Sequence, residues 1–242
     1  MLHAVSTIED DLTLQPAFSV DGAGSPAGRA GPALTSGQRL AAPRPDLFAP
    51  PPPQRQLLVR QRPVAGQTHP AWFFVAAHGG SGASLLARLS WQPYADALAA
   101  GQPVDPAAEE LAYGVSAGRA WPNPALEPTA LAVVVCRTSM SGLAWARDVA
   151  TQYLAGAVPA GLRLFGLVTV ADAPGRLPAP LAGARHLLTG VYPRLWDVPY
   201  VPEYRLLTRL PAEPDPPLHP AVADVLAALR SAACIAQEGQ PA

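Results

Sequence analysis

Trp72-Phe73-Phe74-Val75-Ala76-Ala77-His78-Gly79-Gly80-Ser81-Gly82-Ala83-Ser84-Leu85-Leu86 is the stretch on which the fold turns. Its first six residues are continuously apolar and rich in aromatics, which fits a strand buried on both faces. His78 to Gly82 then breaks the run with three glycines. From Ala83 to Leu89 apolar residues recur at helical spacing, so a helix is expected to start there. The unit is strand, glycine loop, helix.

The same alternation continues downstream. Leu131 to Cys136 reads as a second buried strand, turned by Thr138-Ser139-Met140-Ser141-Gly142 into a helix from Leu143 to Leu154 that Gly156 ends. Leu162 to Val170 is a third strand, closed by the turn signal Asp172-Ala173-Pro174-Gly175. A helix from about Pro180 to Thr189, a short strand Arg194 to Pro199 and a last helix Pro220 to Ala233 follow. Between Ser90 and Pro128 the pattern is broken. There, Pro106 to Tyr113 suits a short helix and Arg119-Ala120-Trp121-Pro122 a brief edge strand. Apolar strands alternating with helices predict an α/β fold, a parallel sheet with helices on both faces. In such sheets ligands bind beyond the carboxyl ends of the strands. The His78–Ser84 loop, the Thr138–Gly142 turn, the Asp172 turn and Pro199 are therefore expected on one rim.

Composition bounds the rest. The chain has 242 residues, a net charge of -1, 49% hydrophobic and only 14% charged residues. That balance gives no support for general nucleic-acid binding. No apolar run is long enough for a membrane span, and MLHAVSTIEDDL has no basic segment feeding an apolar stretch, so a cytoplasmic protein without a secretory signal is expected. Cys136 and Cys234 make neither a disulfide framework nor a metal site and read as small buried hydrophobes. Every basic residue is arginine; chemistry that requires a lysine amine is closed to the chain. Residues 1–70, with Gly22-Ala23-Gly24-Ser25-Pro26 and Pro50 to Pro53, are expected to be a disordered tail, 71–235 one domain, and 236–242 a disordered end. The tail is acidic first and arginine-rich later; it suits either a solvated segment or an arm for an acidic partner.

Against the pattern G-x-x-x-x-G-K-[ST], Gly82 and Ser84 match, while Ala77 replaces the first glycine and Ala83 the lysine. The loop more closely resembles the K-G-G-x-G-K-[ST] variant of ParA/MinD-type ATPases, with Gly79, Gly80, Gly82 and Ser84 in place and His78 and Ala83 where the lysines belong. The strand Ala132–Cys136 with its Ser/Thr turn is similar to a late core strand of that superfamily. Gly166 to Val170 resembles the strand that leads to a base-contacting residue, here Asp172, and Trp196-Asp197-Val198-Pro199 the short strand that ends near the adenine. His78-Gly79-Gly80-x-Gly82, Ala120-Trp121-Pro122, Ser141-Gly142-Leu143 and Ala171 to Pro178 also resemble a ParA-like family of GC-rich bacteria classed as a domain of unknown function. The resemblance spans most of residues 71–205. It implies a P-loop-type three-layer sandwich and ATP or another nucleotide with Mg²⁺. The phosphates would lie over His78, Gly79, Gly80, Ser81, Gly82, Ala83 and Ser84, the metal on Ser84, and the base by Asp172 and Pro199. A homodimer across the nucleotide is one implied assembly, a separate protein partner another.

The departures weigh on catalysis. Ala83 carries no charge, and no strand ends in an acid placed to hold a metal; the best candidate ends Val135-Cys136-Arg137. Phosphoryl transfer rests on such groups, and losing one preorganised donor commonly costs about 10²–10³ in rate. A non-catalytic or weakly catalytic nucleotide sensor or scaffold is therefore expected. Arg137, at a strand end on the ligand rim, could replace part of the lost lysine charge, which would make an unconventional NTPase the alternative. The glycines also suit a loop that merely packs tightly. A third reading takes His78-Gly79-Gly80 as an oxyanion loop of esterase type, with Ser139 or Ser141, Asp172 and His186 as a triad; neither serine has the flanking glycines of a nucleophile elbow, and both suit helix capping. Trp121, Trp145 and Trp196 read as packing residues rather than stacking platforms, because no basic interleaving is expected to accompany them.

Overall fold

A computed structural model of the chain describes residues 55–63, 70–103, 112–127, 129–207 and 217–238. Among these residues seven strands and five helices follow one another as β1 (Leu58–Val59), β2 (Trp72–Ala76), α1 (Ala83–Ala99), β3 (Gly114–Gly118), β4 (Ala120–Trp121), β5 (Leu131–Arg137), α2 (Met140–Leu154), β6 (Arg163–Val170), α3 (Ala179–Leu188), β7 (Leu195–Val198), α4 (Pro202–Arg205) and α5 (Pro220–Glu238). The main sheet has five strands in the order β3-β2-β5-β6-β7, and all of its pairings are parallel.

Successive side chains of a strand point to opposite faces. The central strands are therefore apolar along most of their length, because both faces are covered; Arg137 ends β5, Arg163 opens β6, and Thr169 is the one polar side chain inside β6. Trp72, Phe74, Val133, Val135 and Val168 pack under Leu86 and Leu89 of α1 and Val222, Leu226 and Leu229 of α5. The alternate residues Phe73, Val75, Ala132, Val134 and Leu167 pack under Leu143, Ala146 and Val149 of α2 and Leu188 of α3. This is the expected parallel α/β arrangement with helices on both faces. Burying one such Leu or Phe is worth about 1.5–3 kcal/mol, so these two clusters outweigh any single polar contact on the rim.

Several local expectations are corrected. The helix expected to start at Ala83 runs to Ala99, through Pro93 and into the stretch whose pattern was broken. β3 had no signature in sequence, being only Gly-Val-Ser-Ala-Gly. It lies at the sheet edge because Ser90 of α1 donates to the Gly114 carbonyl (3.1 Å) and accepts from its N–H (3.1 Å). A Cβ at Gly114 would stand 2.1 Å from Trp72 Nε1, which is why only glycine fits there. The expected short helix at 106–113 lies mostly outside the described residues. α2 begins at Met140, one turn earlier than its apolar face suggested, and α5 runs on to Glu238, past the expected end of the domain at residue 235.

The expected start at residue 71 is too late. Leu57 is buried at 3% exposure, within the cluster that holds Phe73 and Trp121. β1 pairs in parallel with β4, and the Arg60 N–H extends the pairing to the Trp121 carbonyl at 3.0 Å. The rest of the expected tail, and residues 239–242, lie outside the described residues. Among the described residues no helix is long and apolar enough to cross a membrane.

Candidate functional site

The chain passes from β2 to β3 on one side and then back across to β5 on the other. The strand order therefore reverses between β2 and β5, the kind of switch point at whose carboxyl ends ligands of open α/β sheets bind. The glycine loop follows β2 and the Arg137 turn follows β5, so both stand at that switch point.

Gly80 (φ 73°) and Gly82 (φ 103°) hold the left-handed backbone that lets the loop reverse into α1. Gly82 is the N-cap of α1, and its carbonyl accepts from Leu86 N–H at 3.0 Å. Ser81 points inward, 2% exposed. The first turn of α1 carries no acidic residue, and a Cβ at Gly79 or Gly80 would meet nothing within 4 Å. The loop surface is open above the positive end of a helix, and it fits an anion.

His78 and Arg137 lock this loop to the next turn. The Arg137 N–H donates to His78 Nε2 at 3.1 Å, and His78 Nδ1 lies 2.8 Å from the Gly79 carbonyl. The ring is thus assigned as the neutral tautomer with its proton on Nδ1. The Arg137 side chain donates from Nε to the Gly80 carbonyl (3.0 Å) and from Nη1 to the Ala171 carbonyl (3.4 Å). Burial lowers the Arg137 pKa below its ordinary value, with the Arg205 charge acting in the same direction and Asp172 against it. The structure therefore brings His78, Gly79, Gly80 and Arg137 together, although the positions come from separate strands.

Asp172 and Pro199 share a cleft of about 730 Å³ that runs from the β5 turn to β7, lined also by Thr138, Arg176, Leu181 and Asp197. That is a ligand-sized space. The glycine loop does not line it; Arg137, reaching Ala171, stands between the two. The Asp172 N–H donates to Thr138 Oγ1 at 3.1 Å, and Arg205 donates to the Asp172 carboxylate and to its carbonyl. Elsewhere in the cleft Arg185 forms a two-point pair with Asp197, at 2.8 and 2.5 Å, and Thr169 also donates to Asp197. Beneath them burial pushes the Cys136 thiol up to about 12, so it stays a protonated, unreactive hydrophobe as expected. Arg205, Arg185 and Thr169 escaped sequence reading because isolated residues carry no motif; Asp197 was visible only as part of a strand.

Ser84 sits in the first turn of α1 with its hydroxyl 3.4 Å from that of Ser116 on β3. Among the described residues no group of three or more His, Cys, Asp or Glu could hold a metal. Two neutral hydroxyls do not fit a resident Mg²⁺, which prefers carboxylates together with phosphate oxygens.

The triad residues are not assembled. Ser139 is the N-cap of α2, accepting from Gly142 N–H at 3.1 Å, and it also bonds the Ser141 hydroxyl at 3.2 Å. His186 lies in the last turn of α3 and does not line the cleft. Ser139→Ala is expected to cost about 1 kcal/mol through loss of the cap, read as a lower urea midpoint; an unchanged midpoint would contradict the capping role. Compared with family models, curated proteins and solved structures, the chain matches none.

Proposed function

We propose that this chain is a non-catalytic or weakly catalytic domain of ParA/MinD-like design, which binds a nucleotide or another phosphate-bearing ligand at the β2–β5 rim and serves as a sensor or scaffold. The observation that carries the reading is the open glycine loop at the reversal of strand order, bonded to Arg137 and neighbouring a ligand-sized cleft. The anionic end of the ligand would meet the loop amides, the start of α1 and the Arg137 guanidinium; its heterocycle would occupy the cleft beside Asp172 and Pro199. Arg205 adds a second positive charge close enough to depress the Arg137 pKa. These residues bind and orient. None of them is a base placed to activate water, since the Asp172 carboxylate is paired with Arg205 and Asp197 with Arg185.

Calorimetric titration of the full chain with ATP, ADP and GTP, each with and without Mg²⁺, tests the reading. Micromolar binding without turnover is expected. Arg137→Gln should weaken it about 10- to 100-fold, the equivalent of one charge-assisted hydrogen bond of about 1.5–3 kcal/mol, with the thermal melt checked to show that the domain still folds. Binding to none of the three would sink the proposal. Turnover above a buffer blank would favour the unconventional NTPase that uses arginine in place of lysine.

A further inference from the structure

Trp145 projects from α2 half-buried, and two guanidiniums lie over its ring: Arg119 at 4.8 Å and Arg55 at 5.4 Å from the ring centroid. Its neighbours continue the pattern. Arg55 and Arg147 both donate to the buried Asp148 carboxylate, at 3.1 and 3.3 Å. Arg60 donates to the Ala117 carbonyl at 3.2 Å, two residues before Arg119. Among the described residues, the face made by the 55–63 segment, the β3–β4 corner and the first half of α2 thus sets Arg55, Arg60, Arg119 and Arg147 against Asp148, a carboxylate already buried and paired with Arg55 and Arg147. The sequence expectation that no basic residues accompany Trp145 is overturned: Arg55 and Arg119 reach it through the fold.

We infer that this face docks a short acidic peptide segment of a partner protein. Contact with the Trp145 ring holds the guanidiniums in place; Arg55 already gives one N–H to Asp148, while Arg119 lies exposed over the ring and can present its N–H edge to a planar oxyanion, which arginine binds in a two-point fashion. Asp148, gripped by Arg55 and Arg147, shows that the face accommodates carboxylates. Two observations favour a peptide over nucleic acid. The Trp145 ring is taken up by guanidiniums and offers no open platform for bases. The chain as a whole carries a net charge of -1, so its overall field would not draw in a long polyanion; attraction to this face is local. The inference is independent of the nucleotide reading, since the patch lies on a separate face from the cleft.

The test is fluorescence anisotropy of a labelled deca-glutamate peptide titrated with the full chain at low salt, alongside a labelled oligothymidylate. Deca-glutamate should bind, and more tightly than the oligonucleotide. Arg119→Gln, which removes a stacked guanidinium from the protein surface, should weaken peptide binding about fivefold, and Arg119→Gln with Arg60→Gln more than either alone. Arg163→Gln, an exposed arginine at the opposite end of the sheet, should leave it unchanged. No binding of deca-glutamate, an equal loss with Arg163→Gln, or unchanged binding with Arg119→Gln in a protein that melts normally would each overturn the inference. Tighter binding of the oligothymidylate would overturn it in favour of a nucleic-acid surface.

Discussion

Gln152→Leu is expected to lower stability by about 2–4 kcal/mol and to release the 55–63 segment. Gln152 lies in α2 at 5% exposure and treats Leu57 as a neighbouring strand would. Its Oε1 accepts the Leu57 N–H at 2.9 Å, and its Nε2 donates to the Leu57 carbonyl at 2.7 Å and to the Ala157 carbonyl at 3.2 Å. This triple engagement also fixes which way the amide points. Leucine has a similar size but no polar atoms, so it would strand buried backbone groups at about 1–3 kcal/mol each. The penalty has a ceiling, because the segment can peel away and rehydrate. It then forfeits the burial of Leu57, about 1.5–3 kcal/mol, and the β1–β4 pairing. Urea denaturation reads the loss of stability. Trypsin reads the release, since the Arg55–Gln56 and Arg60–Gln61 bonds become substrates once the segment detaches. A variant with the wild-type midpoint and wild-type resistance to trypsin would show that the Gln152 bonds are not what holds the segment.

Gly142→Ala should destabilise the domain even though alanine is the better helix former. The two effects oppose each other, and their sizes decide the sign. Exchanging glycine for alanine within a helix gains about 1 kcal/mol. A Cβ at Gly142, however, would stand 2.3 Å from the Arg137 carbonyl oxygen and 3.1 Å from His78 Nε2. A main-chain carbonyl cannot rotate aside, and forcing extra atoms into a packed site costs about 1–3 kcal/mol or more. Overpacking is expected to win by about 1–2 kcal/mol, displacing the Arg137 turn from the loop and weakening any nucleotide binding with it. Gly183→Ala supplies the contrast: a Cβ there meets nothing within 4 Å on α3, so the same exchange should stabilise by about 0.5–1 kcal/mol. Thermal melts of the two variants should therefore shift in opposite directions. Shifts in the same direction would refute the packing argument at Gly142.

The glycine loop was legible in sequence because its signal is local. Apolar β2 must end where polar and glycine residues begin, and helical spacing must resume at Ala83. The Ser139 cap and the Gly156 stop of α2 were legible for the same reason. The strands β2, β5 and β6 announce themselves by unbroken apolar runs, which a strand covered on both faces requires. β3 was not legible. Its small residues reflect its neighbours, Trp72 filling the space above Gly114 and Ser90 bonding its backbone. A residue that is small because another is large leaves no trace in its own segment.

What the sequence by itself determined is the class of the fold and the location of the rim: alternating apolar strands and amphipathic helices admit little besides a parallel sheet covered on both faces, with its loops gathered at the carboxyl ends. What only the tertiary structure decided is which side chains meet there and what each is already doing. Arg137 holds two carbonyls as well as lying near the loop, Asp172 is paired with Arg205, Ser84 faces a serine instead of an acid, and Arg55 reaches Trp145 from far upstream. The division follows from distance along the chain. Strand and helix patterns arise from residues within one element, whereas these contacts depend on strand order and register, which join segments that the sequence holds far apart.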